Sequence, residues 1–195
     1  MPLPPTIRRI VLTGFMGAGK STTGGLLADA LGWRFADSDD LIEARAGRTI
    51  AQIFAEHGEA AFRLLEADAI RGHASSENLV LALGGGAIEY EATRNLLNEL
   101  SGTRVVFLDA PLDVMVARCL AQPGAAERPV LADRERLLQR FVDRLPHYRR
   151  AHLIVATAGL APQAVVERIL SALSEEASGK AQDYAGTKQK GLPTR

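Results

Sequence analysis

The segment Gly14-Phe-Met-Gly-Ala-Gly-Lys-Ser21 has the residue types and spacing of a loop that holds the phosphates of a nucleoside triphosphate. Its glycines let the backbone approach an anion with no Cβ in the way. Inward-pointing amides and the dipole of a following helix favour negative charge there. Lys20 can bridge the transferring phosphate, and the Ser21 hydroxyl can ligand Mg²⁺. A glycine-rich turn without a ligand is the plain alternative, but an apolar run enters this one and an amphipathic run leaves it, as nucleotide binding requires. The motif predicts ATP or GTP binding. It does not name the acceptor, because loops of this kind serve switches, motors and transporters as well as kinases.

Candidate acceptor-side residues lie further along. Asp37 and Asp39 are two apart after a short apolar run, a spacing that puts both on one side of an extended segment. One carboxylate could order Mg²⁺ through water while the other accepts a hydroxyl proton. Helix capping is the competing role, and Asp40 suits it. Arg63 and Glu66 are three apart and can pair on a helix, and Arg144 stands at an expected helix end just before Pro146. Two arginines match a substrate carboxylate, although most such pairs are surface salt bridges. Gly84-Gly-Gly86 ends an apolar run and leaves room for a ligand against the backbone. Residues 122–132 carry Arg128 among Pro, Gly and Ala, the composition of a lid that closes on phosphate or of a solvated loop.

These residues need a frame. Apolar runs at 10–13, 34–36, 79–83, 105–108 and 153–155 read as strands. Their continuous apolar character suits a sheet covered on both faces. Helical spacing recurs at 20–31, 40–47, 50–57, 59–74, 91–100, 112–121 and 164–173. The alternation predicts an α/β fold, a five-stranded parallel sheet with helices on both faces. Gly24 and Gly25 interrupt the first helix at a cost of roughly 1 kcal/mol each relative to alanine.

With 23 basic and 23 acidic residues, the chain has no global field for nucleic acid or an anionic surface. The single Cys119 excludes an intrachain disulfide and suits a reducing compartment. No run approaches the roughly 20 apolar residues of a membrane span. A cytoplasmic monomer without nucleic-acid or membrane partners is expected. Residues 1–173 read as one domain, with a nucleotide-binding core at 8–37, substrate-binding helices at 38–75 and a lid at 122–132. Residues 174–195 are Gly-, Lys- and Gln-rich and read as a disordered tail.

Taken in order, Asp37-Ser-Asp39, Ile42-Glu43, Gly47-Arg-Thr-Ile50, Gly58-Glu-Ala-Ala-Phe-Arg63-Leu-Leu-Glu66, Gly84-Gly-Gly86, Arg128-Pro-Val-Leu131 and Arg144-Leu-Pro-His-Tyr148 resemble the shikimate kinases over residues 8–173. The resemblance implies a three-layer P-loop kinase that uses ATP and Mg²⁺ to phosphorylate the 3-hydroxyl of shikimate, in aromatic amino acid biosynthesis. It implies ATP binding by Gly17, Ala18, Gly19, Lys20, Ser21 and Thr22, with Arg118 on the adenine and Arg128 reaching the phosphates from the lid. It places the magnesium at Ser21 and Asp37, and catalysis at Lys20, Asp39 and Arg128. Shikimate falls to Asp39, Arg63, Gly85, Gly86 and Arg144, beside Phe54 and Phe62. Asp109 ends a strand like a magnesium carboxylate, but the resemblance gives that role to Asp37. The arginine common in the family's adenine loop is absent near residues 156–160. A gluconate kinase of the same fold, or an idle binding module that has lost catalysis, are the competing readings.

Overall fold

The computed structural model describes residues 3–73, 75–121 and 133–176. Five parallel strands, β1 (Arg9–Thr13), β2 (Arg34–Asp37), β3 (Leu79–Ala82), β4 (Thr103–Asp109) and β5 (Leu153–Ala156), form one sheet in the order β2-β3-β1-β4-β5. β1 lies at its centre, pairing Leu12 with Ala82 on one side and with Val106 on the other. Every residue of β1 and β3 is buried, as sheet-interior apolar runs require. At the edge the rule relaxes: β5 alternates, with Leu153 and Val155 buried and Ile154 and Ala156 exposed.

Helix α1 (Lys20–Leu31) packs over β1, β2 and β3 and against α7 (Pro162–Glu176), which lies beside β5, while α3 (Ile50–Gly72) and α4 (Glu91–Glu99) lie on the opposite face. α2 (Ser38–Ala46) joins β2 to α3, and α5 (Leu112–Leu120) follows β4. Gly24 has a steric cause: a Cβ there would strike the ring of Phe35 on β2, so its absence lets α1 lie close to the sheet. Nothing surrounds Gly25, and the structure does not explain it. α3 is two helices joined end to end, because Gly58 takes φ 76° and ψ 177° between them. Beneath it, Ile42, Ile53, Phe62 and Ala69 form a small core separate from the main one.

Three sequence expectations change. α6 (Arg134–Tyr148) is a helix that the periodicity reading omits, and Arg144 lies inside it, not at its end. Proline normally stops a helix, but α6 continues through Pro146 to deliver the fully buried Tyr148 onto Phe107, with ring centroids 5.1 Å apart. α7 runs through Glu176 with Ser174 buried, so the tail expected from residue 174 cannot begin there. The remainder of that tail, and the lid at residues 122–132 with Arg128, lie outside the described residues. At the amino-terminal edge of the sheet, buried Arg9 donates to Thr103 Oγ1, the Ser76 carbonyl and the Ser101 carbonyl. Trp33, partly buried, precedes β2 on that same edge.

Candidate active site

All the strands end on one side of the sheet, and the sequence-predicted residues gather there. α1 starts directly after Gly19, which takes a left-handed conformation with φ 94°. No side chain caps the helix and no acidic residue occupies its first turn, so its amides remain available to an anion. Lys20 Nζ donates to the carbonyls of Gly14 at 2.9 Å and Phe15 at 3.1 Å, folding back over the loop. Burial pulls its pKa down, opposed by the carboxylates of Asp39 and Asp37.

Ser21 Oγ donates to Asp37 Oδ2 at 2.7 Å, and Asp37 Oδ1 accepts from the Asp39 amide at 3.1 Å. Asp37, rather than Asp40, therefore caps α2. Asp39 belongs to α2 and not to an extended strand, so strand alternation does not pair it with Asp37. The capped first turn, not a pleat, brings the two carboxylates to the same cleft. Burial first and Asp37 second raise the Asp39 carboxyl to about 6, and its Oδ1 is buried without a hydrogen-bond partner. A hydroxyl and a carboxylate in contact are hard oxygen donors of the kind Mg²⁺ accepts alongside phosphate and water.

The Gly84 loop stands against these carboxylates. Its amide donates to the buried Ser38 Oγ at 2.8 Å. A Cβ on Gly84 would lie 2.6 Å from Glu66 Oε1 and 2.7 Å from Asp39 Oδ1, and one on Gly86 would collide with the Arg63 guanidinium. Tyr148 OH donates to the Gly85 carbonyl at 2.5 Å, and burial pushes its phenol pKa up, keeping it a donor. Space for a ligand against the glycines is thus space already shaped by charged side chains.

Arg63 donates through Nη1 to Glu66 at 2.7 Å and through Nη2 to Glu59 at 3.0 Å, leaving buried Nε with no partner. The rings of Phe62 and Tyr90 each lie 5.1 Å from its guanidinium carbon. Glu66 is only 1% exposed, and burial raises its carboxyl to about 7 against the pull of Arg63. Arg144 donates through Nε to Glu89 Oε2 at 2.8 Å, and its side chain also engages the Tyr148 hydroxyl. Glu89 ends a short 3-10 helix, Ala87–Glu89, which Arg94 holds by donating to the carbonyls of Ile88 and Glu89. Sequence reading missed Glu59 and Glu89. Glu59 was legible as an i,i+4 partner of Arg63, whereas Glu89 meets Arg144 from 55 residues away.

Two cavities occupy this edge. One, of about 790 Å³, runs along residues 16–23 past Asp37 and Asp39 to Arg118, Thr157, Leu160 and Val165. The other, of about 370 Å³, is lined by Phe54, Phe62, Arg63, Glu66, Glu89, Arg140 and Arg144. Asp39, Ile50, Gly84 and Gly85 line both. Arg118 ties the first cavity together, donating to the Thr157 carbonyl at 2.9 Å and to Thr157 Oγ1 at 3.2 Å. Asp109 stands apart, lining neither cavity.

A phosphate cradle and an arginine-lined pocket that meet at one carboxylate describe a small-molecule phosphotransferase. The sequence profile of shikimate kinases matches residues 16–174. This chain belongs to the shikimate kinase family. Among its relatives, the shikimate kinase of Geobacter sulfurreducens is 43% identical over 178 residues, 90% of this chain and 96% of that one. The shikimate kinase of Acinetobacter baumannii, solved in complex with shikimate, superposes with a TM-score of 0.79 at 35% identity, covering 91% of this chain and 97% of the other. A gluconokinase from Sinorhizobium meliloti reaches a TM-score of 0.61 at 22% identity over 92% of this chain and all of its own, a likeness of fold alone. This shikimate kinase family member keeps the family's α/β P-loop kinase fold around its five-stranded sheet.

Proposed function

We propose that this chain transfers the γ-phosphate of ATP to the 3-hydroxyl of shikimate, giving ADP and shikimate 3-phosphate. The observation that carries the reading is the shared wall of the two cavities, Asp39, Gly84 and Gly85, which lets donor and acceptor meet with little else between them. The family and the shikimate-bound neighbour supply the substrate class.

In this reading the α1 amides and Lys20 hold the β- and γ-phosphates, with residues 17–22 around them and Arg118 and Thr157 toward the base. Arg63 Nε and the Arg144 guanidinium receive the shikimate carboxylate, and Gly85 and Gly86 give the ring its floor. Asp39 Oδ1, unpartnered and aimed at Gly84, accepts the proton that leaves the hydroxyl as its oxygen bonds to phosphorus. Ser21 and Asp37 would hold Mg²⁺, which when bound neutralises the phosphate oxygens. Arg128 is assigned to the transferring phosphate on the family's pattern. The proposed site draws on residues of one chain, consistent with a monomer, and a single buried free cysteine suits the cytoplasm. Among the described residues no helix is long and apolar enough to cross a membrane.

A coupled ADP-release assay across shikimate, gluconate and nucleoside monophosphates tests the assignment. Turnover with shikimate exceeding the others is the expected result, and a preference for gluconate would replace the reading with a sugar-acid kinase.

A further inference from the structure

Three arginines, Arg63, Arg140 and Arg144, line the acceptor cavity, and they face four carboxylates: Asp39, Glu59, Glu66 and Glu89. An anionic substrate therefore enters a pocket that already holds substantial negative charge. Arg63 answers to Glu66 and Glu59, and Arg144 to Glu89. Both are oriented by these partners, and both have much of their field cancelled by them. Arg140 differs. It lies one turn before Arg144 on α6, half-buried on the cavity wall, and no hydrogen bond or ion pair engages it among the described residues.

Resting on the proposed reaction, we infer that Arg140 is a third anion-binding residue of the acceptor pocket, the one of the three with no acidic partner among the described residues. Arg63 and Arg144 supply geometry, because their acidic partners fix which nitrogens point inward. Arg140 supplies net attraction, drawing the carboxylate toward the fork that orients it. It is half-buried, and among the described residues no partner fixes its geometry, so its effect is a matter of charge more than of exact fit and is screened by salt. A lysine should serve there nearly as well, which is untrue of a bidentate arginine.

The test is steady-state kinetics of wild type, Arg140→Gln and Arg140→Lys on shikimate and on its uncharged methyl ester, between low and high salt. Arg140→Gln should raise the shikimate KM about five-fold at low salt, with kcat and the ATP KM held within about two-fold. The KM penalty should shrink as salt rises and be absent on the methyl ester. Arg140→Lys should stay within about two-fold of wild type throughout. An Arg140→Gln KM equal to wild type, or a penalty as large on the ester as on the acid, overturns the inference. So does a lysine variant as impaired as the glutamine one. Wild type that fails to turn over shikimate would instead overturn the proposed reaction, so the two failures are separable.

Discussion

Arg63 makes two ion pairs and keeps an unpartnered Nε, so its truncation removes the proposed substrate contact and also strands Glu66. Arg63→Ala should weaken shikimate binding by about 2–4 kcal/mol with ATP affinity nearly unchanged, because the phosphate cradle is built from other residues. Calorimetry of each ligand against the variant checks this, and intact shikimate affinity would remove Arg63 from the clamp. Glu66 carries a pH signature. Its folded pKa of about 7 lies above the ordinary glutamate value, so folding takes up a proton. The stabilising contribution is complete below the unfolded value of about 4.5 and is lost as pH rises through about 7. Thermal melts from pH 5 to pH 8 should therefore fall less steeply for Glu66→Gln than for wild type. Parallel slopes would mean that Glu66 is fully ionised across that range.

Among the elements, α6 depends on its last turn. Tyr148 is buried, stacks on Phe107 and donates to the Gly85 carbonyl, so one residue joins the clamp helix to the glycine floor. Tyr148→Phe keeps the stacking and leaves that carbonyl without its donor. A loss of about 1–2 kcal/mol in unfolding free energy is expected, with a raised shikimate KM, measured by denaturant melts and kinetics. Unchanged stability and KM would show that the hydrogen bond positions nothing. This helix was also the least legible element. Six of its fifteen residues are charged, and a proline falls in its final turn, signals that read as a boundary. The nucleotide-binding elements were easier, because β1, residues 14–21 and α1 follow one another without interruption and the chemistry is local. The glutamates around the arginines were harder: Glu89 reaches Arg144 only once the chain has folded, and sequence spacing does not record such pairs.

For the molecule as a whole, the five strands and all their connecting helices but α6 were visible in the hydrophobic runs, while the strand order was not. Nothing in a short apolar run says that β3 inserts between β2 and β1; that order is set by the long-range pairing of β3 with both. The separation of the two cavities by one shared wall predicts that each ligand can bind without the other. Lys20→Met should accordingly abolish turnover while the protein remains folded and still binds shikimate, as calorimetry can establish. Near-normal turnover would dislodge residues 14–21 as the nucleotide site.

The position of Trp33 determines how this protein can be watched. It is the sole tryptophan, and it precedes β2 on the amino-terminal edge of the sheet, whereas Asp37 at the strand's other end lines the larger cavity of the site. A four-residue strand separates them by about 13 Å. Intrinsic fluorescence excited at the indole should report global melting faithfully and stay nearly silent when ATP or shikimate binds. An optical binding assay needs a second indole, and Phe54 offers a place for one: it is 38% exposed and lines the acceptor cavity. Phe54→Trp in a Trp33→Phe background would place the only emitter where the ligand arrives.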